Sequence, residues 1–200
     1  MRDPVTFRKN LPDVAGLSES EAIHVLAHRG ILNGMGDGSF QPRGLLNRAQ
    51  FCAMVVRGLG LPAASSAGFT DVPAGQWYTD PINRAATFGA VNGMGNGTFE
   101  PGTDTNRAMM AVLLYRLAGS PSVEGQTEPF TDVEAGQWFY EAVVWAYNEG
   151  IVNGMSATTF APGMKINRAQ MVTMMYRYAG SPDVDASVLE GYTDADTLGF

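Results

Sequence analysis

The sequence has few of the residues from which metal sites and hydrolytic centres are built. Its 200 residues include one cysteine, Cys52, and two histidines, His24 and His28. A single cysteine excludes an intrachain disulfide and a four-cysteine zinc site. The histidines stand at i and i+4 of a predicted helix, a spacing that can hold a metal, but no third ligand of the right kind is evident nearby. We therefore predict no metal site and no cofactor.

Long apolar runs and net positive charge are also lacking. No apolar run is long enough to span a bilayer, and no signal-peptide pattern follows Met1, so we expect either a cytosolic chain or the mature part of an exported one. The formal charge of −7 disfavours a general affinity for nucleic acid or anionic membranes. We predict neither nucleic-acid binding nor membrane insertion, and any anionic ligand would have to meet local cations. Nearly all of these cations are arginine, which suits carboxylate recognition.

A short string, Asn-Arg-Ala, recurs three times at spacings of about sixty residues, which indicates a repeat array. It begins at Asn47, Asn106 and Asn167. Each copy precedes a run with the apolar spacing of an amphipathic helix, so the asparagine falls at the N-cap. Gln50 and Gln170 then stand at N3 and complete a capping box, whereas Met109 leaves the middle box half made.

The arginine after each predicted cap has no local reason to be there. These residues are Arg48, Arg107 and Arg168. At the first helical position a cation faces the positive end of the helix dipole, which costs about 0.3–1 kcal/mol. An arginine beside unpaired helix N–H groups would make an anion site. We interpret the three arginines as anion-binding residues, the alternative being a purely structural role.

A second set of arginines and a pair of tryptophans also recur. The arginines stand near the end of each predicted motif helix: Arg57, Arg116 and Arg177. A cation is favourable at a helix C-terminus, so we interpret this set as structural. Trp77 and Trp138 occupy matched positions in the second and third copies, whereas Ser18 stands there in the first. The tryptophans would either stack on sugar faces or pack against the next helix, and the sequence leaves both open.

Each copy has the pattern of a helix, a glycine-rich turn and a second helix. In the third copy the first helix is predicted from about Trp138 to Glu149, with Gly150 as its C-terminal glycine. In the second copy Asp80 is the predicted cap and Pro81 the first helical residue. Because so small a helix pair cannot bury its own apolar face, the copies should pack on one another.

The order of these signals resembles the S-layer homology domain over nearly the whole chain. Phe-x-Asp-Val is followed by Trp, a Gly-Ile-x-x-Gly turn, Gly-x-Phe-x-Pro and a box similar to Thr-Arg-Ala-Glu, with Asn in place of Thr and Gln or Met in place of Glu. The resemblance implies an all-α fold in which three helix-loop-helix repeats pack as a pseudo-threefold bundle with short extended segments. We expect repeats at residues 1–60, 61–121 and 122–182, and a partial fourth head at 183–200, all in one compact domain.

The resemblance also implies a ligand and the residues that hold it. Grooves between repeats of this family bind pyruvylated secondary cell-wall polysaccharide, so an anionic glycan is the expected partner. The mechanism would be hydrogen bonds to a ketal carboxylate from the box arginine and from N–H groups of the helix N-terminus. Residues near the box would line the same grooves. The candidates are Arg48, Arg107, Arg168, Asp71, Asp132, Trp77, Trp138, Asn47, Asn106 and Asn167. The partial head at Tyr192 would complete a groove involving the first repeat.

The implied function is a non-catalytic module that anchors a protein in the bacterial cell wall, outside the cell. No glutamate recurs at a matched place in all three copies, so we predict no catalytic residues and no enzyme activity. Two alternatives stay open. One is a helical-repeat scaffold for protein binding or for self-association in a surface layer. The other is the targeting end of a wall-processing enzyme.

Overall fold

The computed structural model describes residues 11–35 and 39–182. In this part the chain forms six α-helices: α1 Ser20–His28, α2 Arg48–Leu59, α3 Thr79–Thr87, α4 Arg107–Leu117, α5 Tyr140–Asn148 and α6 Arg168–Tyr178. A short 3-10 turn precedes α1, and the only extended pairing among these residues is two isolated antiparallel bridges. The all-α prediction is confirmed. The predicted fourth head at 183–200 lies outside the described residues, so its role in a groove stays a prediction.

The chain divides into two compact units, which we describe separately. The central unit is Leu45–Ile166, and the terminal unit joins Met1–Gly44 to Asn167–Phe200. In the central unit α2 packs on α3 and α4 packs on α5, and in the terminal unit α6 packs on α1. Each motif helix therefore pairs with the first helix of another copy. The proposed boundaries within one compact domain stay a prediction.

The motif helices begin where the capping pattern predicts. The Asn47 side chain accepts from the N–H of Gln50 at 2.9 Å, and the Gln50 side chain accepts from the N–H of Asn47 at 3.2 Å. Asn167 and Gln170 form the same reciprocal pair in α6. In α4 only the first half exists, where Asn106 accepts from the N–H of Met109 at 2.9 Å. The prediction of two full boxes and one half box is confirmed. The sequence could specify them because capping depends only on residues three positions apart.

The first helix of the second copy begins earlier than predicted, and that of the third copy begins later. Helix α3 starts at Thr79 with Tyr78 as its N-cap and no side-chain cap, so the prediction that Asp80 caps this helix is wrong. Asp80 instead lies inside the first turn, where it pairs with Arg84 at 2.9 Å. Helix α5 starts at Tyr140, after a turn in which the N–H of Tyr140 donates to the carbonyl of Gln137. Both tryptophans consequently precede a helix and do not belong to it.

The core of each unit is built around a phenylalanine that follows the glycine-rich tip. Phe99 and Phe160 are fully buried in the central unit, and Phe40 is fully buried in the terminal unit. Cys52 is also fully buried, and burial raises the pKa of its thiol to about 12, so it acts as a small apolar side chain. None of the described helices has the length and apolar character needed to cross a bilayer.

Candidate functional site

The side chain of Arg48 is buried and holds the loop of the next repeat. Only 8% of the residue is exposed. Its Nε donates to the carbonyl oxygen of Phe99 at 2.8 Å, and its Nη2 donates to that of Asn92 at 2.8 Å. The guanidinium carbon lies 4.2 Å from the centre of the Phe99 ring, within cation–π range. One side chain thus satisfies two backbone acceptors and covers a core aromatic ring.

Arg107 and Arg168 repeat this arrangement in their own units. Each is buried, donates from Nε and Nη2 to two backbone carbonyls, and lies 4.4 Å from a phenylalanine ring centre. The acceptors are the carbonyl oxygens of Phe160 and Asn153 for Arg107, and those of Phe40 and Asn33 for Arg168. Burial lowers the pKa of Arg48 and of Arg107. An arginine nevertheless stays protonated at neutral pH, so these are buried cations solvated by backbone carbonyls.

The N–H groups at the start of each motif helix are already hydrogen-bonded. In α2 the N–H groups of Arg48 and Ala49 donate to the carbonyls of Thr103 and Pro101, and that of Gln50 donates to the cap. The first turns of α4 and α6 are matched bond for bond. The prediction that these N–H groups receive an outside carboxylate is therefore wrong. The carbonyls of another repeat occupy the positive end of the helix dipole instead.

The two candidate aspartates hydrogen-bond to the same loops as the box arginines. The carboxylate of Asp71 accepts from the N–H groups of Phe99 and Glu100, both at 2.7 Å. Asp132 accepts likewise from Phe160 at 2.8 Å and Ala161 at 2.7 Å. These bonds hold the second loop residue of each pair in the left-handed region, with φ of 58° at Glu100. Burial acts to raise the pKa of Asp71, but the hydrogen bonds to its carboxylate outweigh this and lower the pKa.

The two tryptophans are the most exposed of the predicted site residues. Trp77 is 61% exposed and Trp138 is 63% exposed. Each ring meets the next aromatic residue edge-on, Trp77 against Tyr78 at 5.4 Å and Trp138 against Phe139 at 5.3 Å between centres. Such an edge contact orients the indole while most of its surface stays open to solvent. This exposure is what a ring needs in order to stack on a ligand.

A groove in the central unit brings part of the predicted site together. It has a volume of about 240 Å³ and follows α4 from Met109, in the first turn, to Arg116, in the last, a length of about 10 Å. Arg48 and Trp138 line it, together with residues 90–94 of the second repeat. Most of the remaining lining is apolar: Phe51, Phe99, Val112 and Leu113. Asp71, Asp132 and the box asparagines are not among its lining residues.

The family follows from the match between this repeated architecture and known sequences. The sequence model of the S-layer homology domain matches residues 10–52, 68–111 and 129–172, more than half of the chain. The chain belongs to the S-layer homology domain family. Its three matched segments coincide with the three copies identified above, and each ends inside a motif helix. S-layer homology repeats indicate a cell-surface anchoring module at the cell wall or surface layer.

Curated relatives carry similar repeats in longer proteins. The chain is 30% identical over 175 residues to an amylopullulanase of Thermoanaerobacterium thermosulfurigenes, covering 85% of the chain and 9% of the relative. It is 29% identical over 181 residues to exoglucanase XynX of Acetivibrio thermocellus, covering 88% and 16%. It is 31% identical over 150 residues to an S-layer protein of Bacillus thuringiensis subsp. finitimus, covering 74% and 18%. The chain thus spans less than a fifth of the length of each of these relatives.

The groove along α4 contains one residue whose sequence position indicated only a role in helix stability. Arg116 lies half-buried on α4 and lines the groove beside Trp138. The signal was present in the sequence, because Met109, Val112 and Arg116 stand at i, i+3 and i+7 and therefore share one helix face. The histidine pair gives no site in the structure. His24 is fully buried, and no cluster of three metal-ligating side chains forms among residues 11–35 and 39–182.

Proposed function

We propose that this chain is a non-catalytic anchoring module that binds pyruvylated secondary cell-wall polysaccharide in the groove along α4. The observation that carries the proposal is that one groove is lined by a largely exposed indole, Trp138, and by two arginines, Arg116 and Arg48. An aromatic face suits the apolar side of a sugar ring, and a guanidinium suits a carboxylate. On a chain with a formal charge of −7, two cations in one groove form a local site for an anionic ligand.

We propose that the groove holds both parts of a pyruvate ketal, which carries a carboxylate and a methyl group on one carbon. Arg116 is half-buried and lies on the groove wall, so we assign to it the charge-assisted hydrogen bonds to the carboxylate. Val112 and Met94 supply apolar surface for the methyl group. Arg48 contributes its positive charge from the wall, while its Nε and Nη2 stay bound to backbone carbonyls.

The other predicted site residues support this site or belong to further copies of it. Asp71 shapes the loop that Arg48 binds. Asn47 caps α2, which begins at Arg48, and Asn106 caps α4. Because the sequence repeats, we propose that Arg107, Arg168 and Trp77 contribute to comparable ligand sites, with Asp132 and Asn167 in the supporting positions. For all three box arginines the supporting argument is electrostatic, because two of their donor groups are bound to carbonyls.

Calorimetric titration with purified wall polysaccharide, before and after chemical removal of pyruvate, tests the proposal. We expect Arg116→Ala to weaken binding about 10- to 150-fold, since a hydrogen bond to a charged group contributes about 1.5–3 kcal/mol. Lys165→Ala is the matched control, because it removes the same charge at an exposed position outside the groove. Equal affinity for the intact and the depyruvylated polymer would overturn the proposal, as would unchanged binding by both Arg116→Ala and Trp138→Ala.

Self-association in a surface layer is the alternative that the exposed methionines favour. Met94 is 45% exposed and Met155 is 53% exposed, at matched positions of the Asn-Gly-Met segments in the second and third repeats. Methionine side chains are flexible and are common at protein-binding surfaces. Sedimentation of the chain without glycan distinguishes the two functions, because concentration-dependent assembly with no glycan binding would favour the scaffold. A monomer that binds the polymer favours the anchoring module.

A further inference from the structure

A second cavity lies beside the groove in the central unit and has different chemistry. Its volume is about 340 Å³, and it lies between the last turns of α4 and the start of α5. It shares Val112, Arg116 and Trp138 with the groove, so the two spaces adjoin at these side chains. Its own lining is mostly polar: Tyr115, Ser120, Gln137, Tyr140 and Glu141. Neither the predicted motif nor the proposed carboxylate site accounts for this lining.

The polar groups of the cavity have hydrogen-bonding capacity for a ligand. The phenol oxygen of Tyr115 lies 2.9 Å from the carbonyl oxygen of Pro121 and 3.1 Å from a carboxylate oxygen of Glu141. Its one proton is shared between two acceptors, so the carboxylate keeps accepting sites for other donors. Gln137 and Ser120 are exposed. The Oε1 of Gln137 accepts from the N–H of Glu134 at 2.8 Å, and its side-chain amide group offers two donors, while the Ser120 hydroxyl can donate and accept. Sugar hydroxyl groups supply donors and acceptors in the same way.

The two spaces differ in charge, and this difference sets which sugar of the glycan lies in the groove and which in the cavity. The groove holds Arg48 and shares Arg116, whereas the cavity adds the carboxylate of Glu141. In the cavity the opposite charges of Arg116 and Glu141 offset each other, whereas the groove is lined by two arginines. A neutral sugar fits the cavity lining, and a second acidic sugar would meet repulsion from Glu141. The shared ring of Trp138 is largely exposed and can contact a sugar on either side.

We propose that this cavity binds an uncharged, hydroxyl-rich sugar joined to the pyruvylated sugar in the groove. The central unit then recognises two neighbouring residues of the glycan, one acidic and one neutral, and Glu141 rejects a second acidic residue. This inference rests on the proposed function of the groove. It adds the class of the neighbouring sugar and names Glu141 and Gln137 as residues that determine specificity.

The terminal unit contains a matched pair that lacks the rest of the cavity chemistry. There the phenol oxygen of Tyr176 lies 3.2 Å from a carboxylate oxygen of Glu21 and 2.9 Å from the carbonyl oxygen of Pro182. In the first repeat, however, Leu17 and Ser18 stand where the third repeat has Gln137 and Trp138. Glu21→Gln therefore removes an equivalent carboxylate from an equivalent tyrosine, without the glutamine and the indole beside it.

The test compares three synthetic ligands by calorimetry on the whole chain: a pyruvylated monosaccharide, the same sugar joined to a neutral hexose, and the same sugar joined to a uronic acid. We expect the neutral disaccharide to bind about tenfold more tightly than the monosaccharide, and the acidic disaccharide to lose that gain. Glu141→Gln should remove the discrimination against the acidic disaccharide. Glu21→Gln should leave it unchanged. Gln137→Leu should lower the disaccharide affinity to that of the monosaccharide.

The outcomes separate this inference from the function on which it rests. Equal affinities of the wild-type chain for the monosaccharide and the neutral disaccharide would overturn the second sugar site and leave the carboxylate site standing. Undiminished discrimination in Glu141→Gln, or an equal effect of Glu21→Gln, would overturn the role of Glu141. Absence of binding by any pyruvylated ligand would overturn the proposed function itself. Urea unfolding of each variant establishes that it is folded before it is titrated.

Discussion

Replacement of Arg48 by methionine tests whether the box arginine is primarily a structural residue. Methionine keeps an unbranched apolar chain near the Phe99 ring but has no donor for the carbonyls of Phe99 and Asn92, which now bind Nε and Nη2. Each buried carbonyl left without a donor costs about 1–3 kcal/mol. Loss of a cation from the helix N-terminus returns about 0.3–1 kcal/mol. We therefore expect the free energy of unfolding to fall by about 1–6 kcal/mol.

Urea unfolding followed by circular dichroism measures this change through the midpoint and slope. Lys165→Met is the control, because it removes an exposed cation whose ion pair with Asp104 is worth about 0–1 kcal/mol. Arg48→Lys keeps the charge but not the planar fork, so it should recover less than half of the lost stability. A loss below about 0.5 kcal/mol in Arg48→Met would refute the structural role, since this is the range of ordinary surface substitutions.

Three further predictions concern the box, a glycine and a carboxylate. Met109→Gln completes the half-made box of α4 and should add about 0.5–1 kcal/mol, seen as a higher thermal midpoint, whereas an unchanged midpoint would contradict it. Gly154→Ala places a Cβ 2.5 Å from a ring carbon of Phe130 and should cost about 1–3 kcal/mol in urea, whereas Gly163→Ala, with no atom within 4 Å of its Cβ, should cost far less. Because the pKa of folded Asp71 is lowered, its stabilisation is present above the unfolded pKa of about 4 and is lost as pH falls through the folded pKa. The stability gap between wild type and Asp71→Asn should therefore shrink from pH 7 to pH 2 in urea titrations, and a constant gap would count against this.

In the anchoring function that we propose, two arginines of the same groove have different roles, one structural and one in ligand binding. Arg48 is buried and bound to the loop of the next repeat, while Arg116 is half-buried on the groove wall. Substitution of Arg48 should therefore lower stability, and the loss of stability should in turn lower binding. Substitution of Arg116 should lower binding, and a variant that unfolds at the same urea concentration as wild type shows that the loss is not one of stability. Measuring both quantities for both variants separates structural from ligand-binding arginines in this family of repeats.

The helical repeat, the helix starts at the boxes and the helix ends at glycine could all be read from the sequence. Asn47 and Gln50 bond to each other across one turn, and Gly150 ends α5 with a φ of 69°. These features depend on residues a few positions apart, so the spacing of residue types specifies them. The start of α3 was misplaced because Asp80 has good capping chemistry, while the preceding turn at Tyr78 already sets the first helical residue.

The role of the box arginine was decided only by tertiary structure. The sequence alone shows correctly that a cation at the start of α2 opposes the helix dipole, and it suggests an outside anion as the compensation. The compensation lies within the fold, because the carbonyls that Arg48 binds belong to Phe99 and Asn92, which are 51 and 44 residues away. Packing likewise brings Arg116 and Trp138 to one groove from different repeats. Local spacing determines where the helices begin, but only the meeting of distant segments determines which charged side chains line the groove.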